Sequence, residues 1–278
     1  MNSPSSFEAS LPDYPVQAPT WKIAPQTQPR YINSVAVSAD GGTVVGGTFY
    51  HSYGTAPAAR RSATVADQLT KPGLETTDTF GTYCYDGKGV LRWKDEFLAC
   101  EGVYGVAVSS DAGRAAAGGS GGVYHLFDVP TFLRTGVPTY SFDTGSPDAI
   151  YGVGVSTDAS LFAGVVNVGS DAGLAYAATV MGGTPVSRAK IQTLRNPNSL
   201  CMDLARGVMA VADGHPDGTP GHFYLIGGIV AAPNSMVVAT VQWQCPTSNM
   251  SWPVTISGDG SAAVGGSDDG SIYYFGRD

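Results

Sequence analysis

The chain has 278 residues, of which only 14% are charged, with 37 glycines, 18 prolines and a net charge of −8. A chain of this length buries roughly 75% of its unfolded surface and needs no disulfide or metal staple, and sparse charge with abundant turn formers excludes a fold of charged amphipathic helices. The acidic balance, with Arg60-Arg61 as the one basic pair, argues against sequence-independent binding to nucleic acid or an anionic membrane.

In chain order, residues 1–19 read as a tail. They have no basic start and no apolar h-region, so the expectation is no targeting signal and a cytoplasmic chain by default, with export after loss of a signal peptide left open. No apolar run approaches the roughly 20 residues of a membrane helix. Thr20–Ala24 (TWKIA) is a short strand-like run. From Ile32 a unit begins that recurs: a β-rich alternating strand, a turn carrying Asp, a small-residue strand, a second turn, and another alternating strand. It is clearest at Tyr104–Asp128 (YGVAVSSDAGRAAAGGSGGVYHLFD) and returns at Ile32, Ile150 and Pro253. Asp40, Asp111, Asp158 and Asp259 mark the first turn. A worn copy starts at Leu200, with Arg206 near the turn position.

A period of 40–50 residues signals a repeat array. Five units of four strands are expected, except that the fifth ends after SIYYFG, one strand short. Residues 20–24 are expected to supply that strand by pairing with Ile272–Phe275, which closes the ring and removes a free edge. Thr48–Gly81 interrupts the first unit. A loop of that length in a compact domain is functional or irregular, and if it hides a worn repeat the count becomes six.

Val106–Asp128 and Val254–Phe275, with their V-x-V-S-x-D-G, G-G-S and G-x-V/I-Y-x-F-D segments, resemble the repeats of WD40-type and PQQ-like β-propellers. Tyr83–Asp95 (YCYDGKGVLRWKD) is similar to the outer hairpin of a PQQ-like blade. The Trp-Asp dipeptide of strict WD40 repeats is absent. The resemblance implies one all-β propeller domain over 1–278 and brings no particular activity with it.

In such a fold the loop between the second and third strands opens on the same face as the crossover to the next blade. That face collects the 48–81 loop, Asp213–His222, Ser267–Gly270 and the crossovers, hence His51, His215, His222, Arg60, Arg61, Glu101 and Asp148. One residue per unit is expected near the channel mouth: Asn33, Tyr104, Tyr151, Leu200 and Trp252. These either line an aromatic ligand pocket or fill the channel by packing. His215, Asp217 and His222 match no metal motif and read as a turn, and the repeated aspartates read as turn anchors. No metal or cofactor is expected. Neither C-x-x-C nor a zinc spacing is present, so Cys84, Cys100, Cys201 and Cys245 are expected as free thiols, with a Cys201–Cys245 disulfide as the alternative in an oxidising compartment.

Two functions follow. One is a non-catalytic scaffold binding a protein, peptide or small organic ligand through Asn33, Arg60, Tyr104, Tyr151, Trp252 and His222. The other is a hydrolase or lyase with an acid–base site drawn from His51, Glu101, Asp148 and His215.

Overall fold

The structure is a computed structural model. It describes residues 18–23, 31–49, 79–98, 102–119, 122–136, 138, 140–144, 150–156, 161–168, 172–181, 184–203, 206–229 and 239–276. They form five antiparallel sheets, each consecutive in sequence. The first holds β1 (Tyr31–Val37), β2 (Thr43–Phe49), β3 (Thr79–Asp86) and β4 (Leu91–Leu98). The second holds β5 (Val103–Val108), β6 (Arg114–Gly119), β7 (Val123–Asp128) and β8 (Tyr140–Asp143). The third holds β9 (Ile150–Val155), β10 (Leu161–Val168), β11 (Ala172–Met181) and β12 (Thr184–Thr193). The fourth holds β13 (Pro197–Asp203), β14 (Val208–Asp213), β15 (His222–Gly227) and β16 (Thr240–Pro246). The fifth holds β17 (Ser251–Ile256), β18 (Ala262–Ser267) and β19 (Ile272–Gly276).

The hairpins follow from the repeated turn chemistry. In the first sheet the Ser38 hydroxyl donates to Asp40 Oδ1 (2.7 Å), which also accepts from the Gly42 N–H (2.8 Å). Ser109 and Asp111 repeat this at 2.6 Å, as do Ser257 and Asp259. These hydrogen bonds hold the three carboxyls below the usual carboxylate range. The aspartates are turn anchors, as expected for Asp40, Asp111 and Asp259; Asp158 lies outside the described residues.

Period-2 alternation gives each sheet two apolar faces, and successive sheets stack through them. Val45, Cys84 and Trp93 of the first meet Val106, Ala115 and Phe127 of the second. Tyr124 and Leu126 then meet Phe162 and Tyr176. Ala163 and Val165 meet Met209 and Tyr224, and Ala210 and Phe223 meet Val254. Glycines on the second strands permit the close approach: a Cβ on Gly164 would fall inside the phenol ring of Tyr124, and one on Gly265 inside Phe223.

A short helix, α1 (Val129–Thr135), lies between β7 and β8 of the second sheet, in a unit for which four strands were expected. Its N-cap is Asp128, which accepts from Thr131 N (2.8 Å), and Gly136 ends it at φ 67°. The cap, a proline in the first turn and a closing glycine are the start and stop signals. It buries Phe132 against Trp93, ring centroids 5.0 Å apart.

The closing strand is not found. Residues 18–23 carry no strand. Trp21 Nε1 instead donates to Gly87 O (3.2 Å), and its ring leans on Tyr85 at 6.2 Å. Two apolar side chains, Trp21 and Ile23, gain more cover over the β3–β4 hairpin, where Gly89 offers no Cβ, than at an exposed edge. Ala24 lies outside the described residues. The fifth sheet therefore shows three strands among the described residues. Inner strands pack in sequence, β1 on β5, β5 on β9, β9 on β13 and β13 on β17, without comparable packing of β17 on β1. Val35 (68%) and Val37 (60%) are accordingly exposed.

The Cys201–Cys245 pairing is excluded by topology. The two lie on β13 and β16, the first and fourth strands of one sheet, roughly 14 Å apart at about 4.8 Å per strand step, far beyond disulfide reach. Both are free, as is buried Cys84; Cys100 lies outside the described residues.

Candidate functional site

Each inner strand begins with the same irregularity. In the first sheet Ile32 pairs with Thr48 and Ser34 with Gly47, leaving Asn33 as an extra residue. Tyr104 is extra between Val103 and Gly105, Tyr151 between Ile150 and Gly152, and Asn198 between Pro197 and Ser199. In the fifth sheet Trp252 and Pro253 fall between Ser251 and Val254. A β-bulge releases its extra residue from the ladder and re-aims the side chain. Five bulges at one level thus free Asn33, Tyr104, Tyr151, Asn198 and Trp252 at one end of the inner strands, the rim.

Four of the five residues expected there are found, and Leu200 is corrected. It pairs with Val211 in regular register and packs against the core between the third and fourth sheets. Asn198 takes its place. The signal was in the spacing: Asn33, Tyr104, Tyr151 and Trp252 each stand five residues before the turn serines Ser38, Ser109, Ser156 and Ser257. In the fourth unit Asp203 occupies the serine position, which puts Asn198 in the row.

The rim is joined across the first three sheets and again between the fourth and fifth. Asn33 Nδ2 donates to Tyr104 O (2.5 Å). The Tyr104 ring lies 5.5 Å from Phe49 and 5.1 Å from Tyr151, the tilted geometry that aromatic pairs prefer. Asn198 Nδ2 reaches Gly214 O (3.2 Å) and Ser251 O (3.1 Å), tying the fourth inner strand to the fifth. Tyr104 and Tyr151 are half-buried and Trp252 is 48% exposed. Rings with one face packed and one edge wet, beside amides, can hold apolar side chains and main-chain polar groups together.

Beneath Asn198 sits a buried polar knot. Asp213 is fully buried. Its Oδ2 accepts from Tyr224 Oη (2.6 Å) and Arg195 N (2.9 Å), and Oδ1 lies 3.1 Å from His222 Nδ1. Burial, then the Asp213 carboxylate, drives the Tyr224 phenol far above its ordinary pKa. His222, on β15, is thus engaged with Asp213 of β14, and the crossover is held by Asp213 and Tyr224, which accept from Arg195 N and Leu194 N. His215 pairs with Asp217 (3.3 Å) in the neighbouring turn. Asp217 is bound to Thr219, and no group of three His, Cys, Asp or Glu with metal-site geometry occurs among the described residues. A second pair, His125 Nδ1 and Asp95 Oδ2 at 2.9 Å, links the outer parts of the first two sheets. His51, Arg60, Arg61, Glu101 and Asp148 lie outside the described residues.

Four four-stranded antiparallel sheets and one of three strands among the described residues, stacked through aligned inner strands, are arranged as the blades of a β-propeller are. Comparison with solved structures agrees. A chain of a mitotic checkpoint complex crystal structure superimposes with a TM-score of 0.57 at 16% identity, covering 90% of this chain and 78% of that one. The β-propeller domain of Myceliophteria thermophila Cps50 (Swd1) gives 0.56 at 10% identity, covering 90% and 66%. Identities this low establish the fold alone, a β-propeller. No family model and no curated protein sequence matches the chain.

Proposed function

We propose that the chain is a non-catalytic binding scaffold on five blades that recognises a segment of a partner protein at the rim. The observation that carries this reading is the set of five aligned bulges. A bulge interrupts ladder hydrogen bonds and re-aims its extra side chain, and repeating it in every sheet gathers five such side chains at one end. A protein segment fits the chemistry best. Asn amides suit main-chain groups, and Tyr and Trp are the side chains enriched where partners bind. The likeness to a chain solved within a mitotic checkpoint complex supports the same role.

The test is selection of a displayed random-peptide library on the immobilised protein, with counter-selection on a Tyr104→Ala/Trp252→Ala variant. Enrichment of a consensus that the variant no longer retains supports the proposal. Peptides retained equally by both proteins place recognition elsewhere and overturn it.

A further inference from the structure

The polar groups around Trp252 differ in what they have left to offer a ligand. Asn198 Nδ2 donates to Gly214 O (3.2 Å) and to Ser251 O (3.1 Å). Both neighbours are carbonyl oxygens, so the amide nitrogen must face them and both its N–H groups are spent. Its Oδ1 is left as an acceptor with no donor among the described residues. Asn198 thereby stands one hydrogen bond from Ser251, the residue before Trp252. On the fifth sheet itself Ser251 pairs with Ser267, and the Asp268 N–H donates to Met250 O (2.9 Å). Asn198 and Asp268 therefore approach residues 250–252 from two sides, one from the fourth sheet and one from the second turn of the fifth.

The carboxylates at this corner are not equivalent. Asp269 accepts from Tyr273 Oη (2.8 Å), Ser271 N (2.9 Å) and Ser248 Oγ (3.1 Å). Asp217 is bound to Thr219 and His215, with Arg195 close enough to act on its charge. Asp213 is enclosed in its own knot. Asp268 is exposed, and its carboxylate meets no donor among the described residues. Between Asn198 and Asp268 stands the half-exposed Trp252, on whose ring no described aromatic or cation stacks. An indole face with an amide oxygen on one side and a free carboxylate on the other calls for a flat cation rich in N–H groups. A guanidinium stacks on an indole and donates in its own plane in two directions, whereas an ammonium is a point charge without that fork.

We propose that the Trp252 end of the rim is an arginine subsite: a guanidinium of the partner segment lies on the Trp252 ring and donates to Asn198 Oδ1 and to the Asp268 carboxylate. The subsite rests on the reading of the rim as a protein-binding surface, and it names the side chain that anchors the segment there.

The probes are three displayed peptide libraries with a fixed central arginine, lysine or glutamine and random flanks free of Lys and Arg. Each is selected on the whole protein with counter-selection on Tyr104→Ala, which isolates rim binders. The best arginine peptide is then synthesised with arginine, lysine or citrulline at the fixed position and titrated by fluorescence anisotropy. Rim binders should come from the arginine library. Citrulline keeps the shape and loses the charge, and should weaken binding about tenfold or more; lysine should weaken it about fivefold. Asp268→Asn and Trp252→Ala should each shrink the arginine-to-citrulline ratio to about threefold or less. Asp259→Asn, at the opposite end of the same sheet, should leave it unchanged. Rim binders drawn equally from the lysine or glutamine libraries overturn the subsite and leave the rim reading standing. Failure of all three libraries to yield a Tyr104-dependent peptide overturns both. A ratio that survives Asp268→Asn and Trp252→Ala puts the guanidinium elsewhere, and an equal fall with Asp259→Asn makes it a general effect of charge; either result overturns the subsite.

Discussion

Replacing Asp213 by alanine tests the knot that holds the rim at the fourth sheet. The carboxylate is fully buried and receives Tyr224 Oη at 2.6 Å and Arg195 N at 2.9 Å, with His222 Nδ1 at 3.1 Å. Hydrogen bonds to a charged group contribute about 1.5–3 kcal/mol each, and a buried donor left unpaired costs about 1–3 kcal/mol. Tyr224 Oη keeps one partner, since it accepts from Leu194 N at 3.0 Å, so part of the loss is recovered by relaxation. The net expectation for Asp213→Ala is about 4 kcal/mol, in the range for breaking a buried charged network. Tyr224→Phe should cost about 1–2 kcal/mol, because it removes one of three bonds and leaves Asp213 two partners. The double variant should be less destabilised than the sum by at least about 1 kcal/mol, since both changes delete the same bond. Urea unfolding followed by tyrosine and tryptophan fluorescence gives these differences from the midpoint at constant slope. A loss below about 1 kcal/mol for Asp213→Ala, or strict additivity with Tyr224→Phe, refutes the network.

Three further outcomes are expected. Gly164→Ala should cost about 2–4 kcal/mol by thermal unfolding, because its Cβ has no room beside Tyr124, whereas Gly258→Ala, with nothing within 4 Å of its Cβ, should stay within about 0.5 kcal/mol. Burial pushes the Cys84 thiol up to about 11, leaving a thiolate fraction on the order of 10⁻³ at pH 8; it should resist iodoacetamide in native buffer and react on unfolding. Asp40, Asp111 and Asp259 have carboxyls lowered in the fold, chiefly by the Ser38, Ser109 and Ser257 hydroxyls. Their contribution is therefore complete above the unfolded value near 4 and is lost as pH falls through the folded values. The melting temperature should be level from pH 8 to about 5 and decline below about 4, with a shallower decline in the triple Ser→Ala variant.

The sheets were legible because strand alternation and Ser-x-Asp turns are local. Two neighbouring residues fix each turn, and the period of two fixes each face. What depended on distant partners was not. The strand-like residues 20–23 have a local pattern that suits pairing with β19, yet Trp21 finds Gly87 and Tyr85. The helix at Val129–Thr135 had a complete cap sequence but was hidden in a unit already assigned four strands. At the rim, Asn33, Tyr104, Tyr151 and Trp252 were reachable by spacing, while Asn198 was displaced because Asp203 replaces the serine that marks the frame. The Asp213–His222–Tyr224 knot joins two adjacent strands and a crossover, and only the register brings it together.

The measurement that bears most directly on the rim is isothermal titration of a library-selected peptide into wild type, Tyr104→Ala, Trp252→Ala and Asp111→Ala. The rim account predicts at least a tenfold loss for each aromatic truncation, about 1.4 kcal/mol or more, and no change for Asp111→Ala, which alters a turn at the opposite end of the inner strands. Affinity that survives both aromatic truncations, or falls equally with Asp111→Ala, would contradict a binding role for the five bulges.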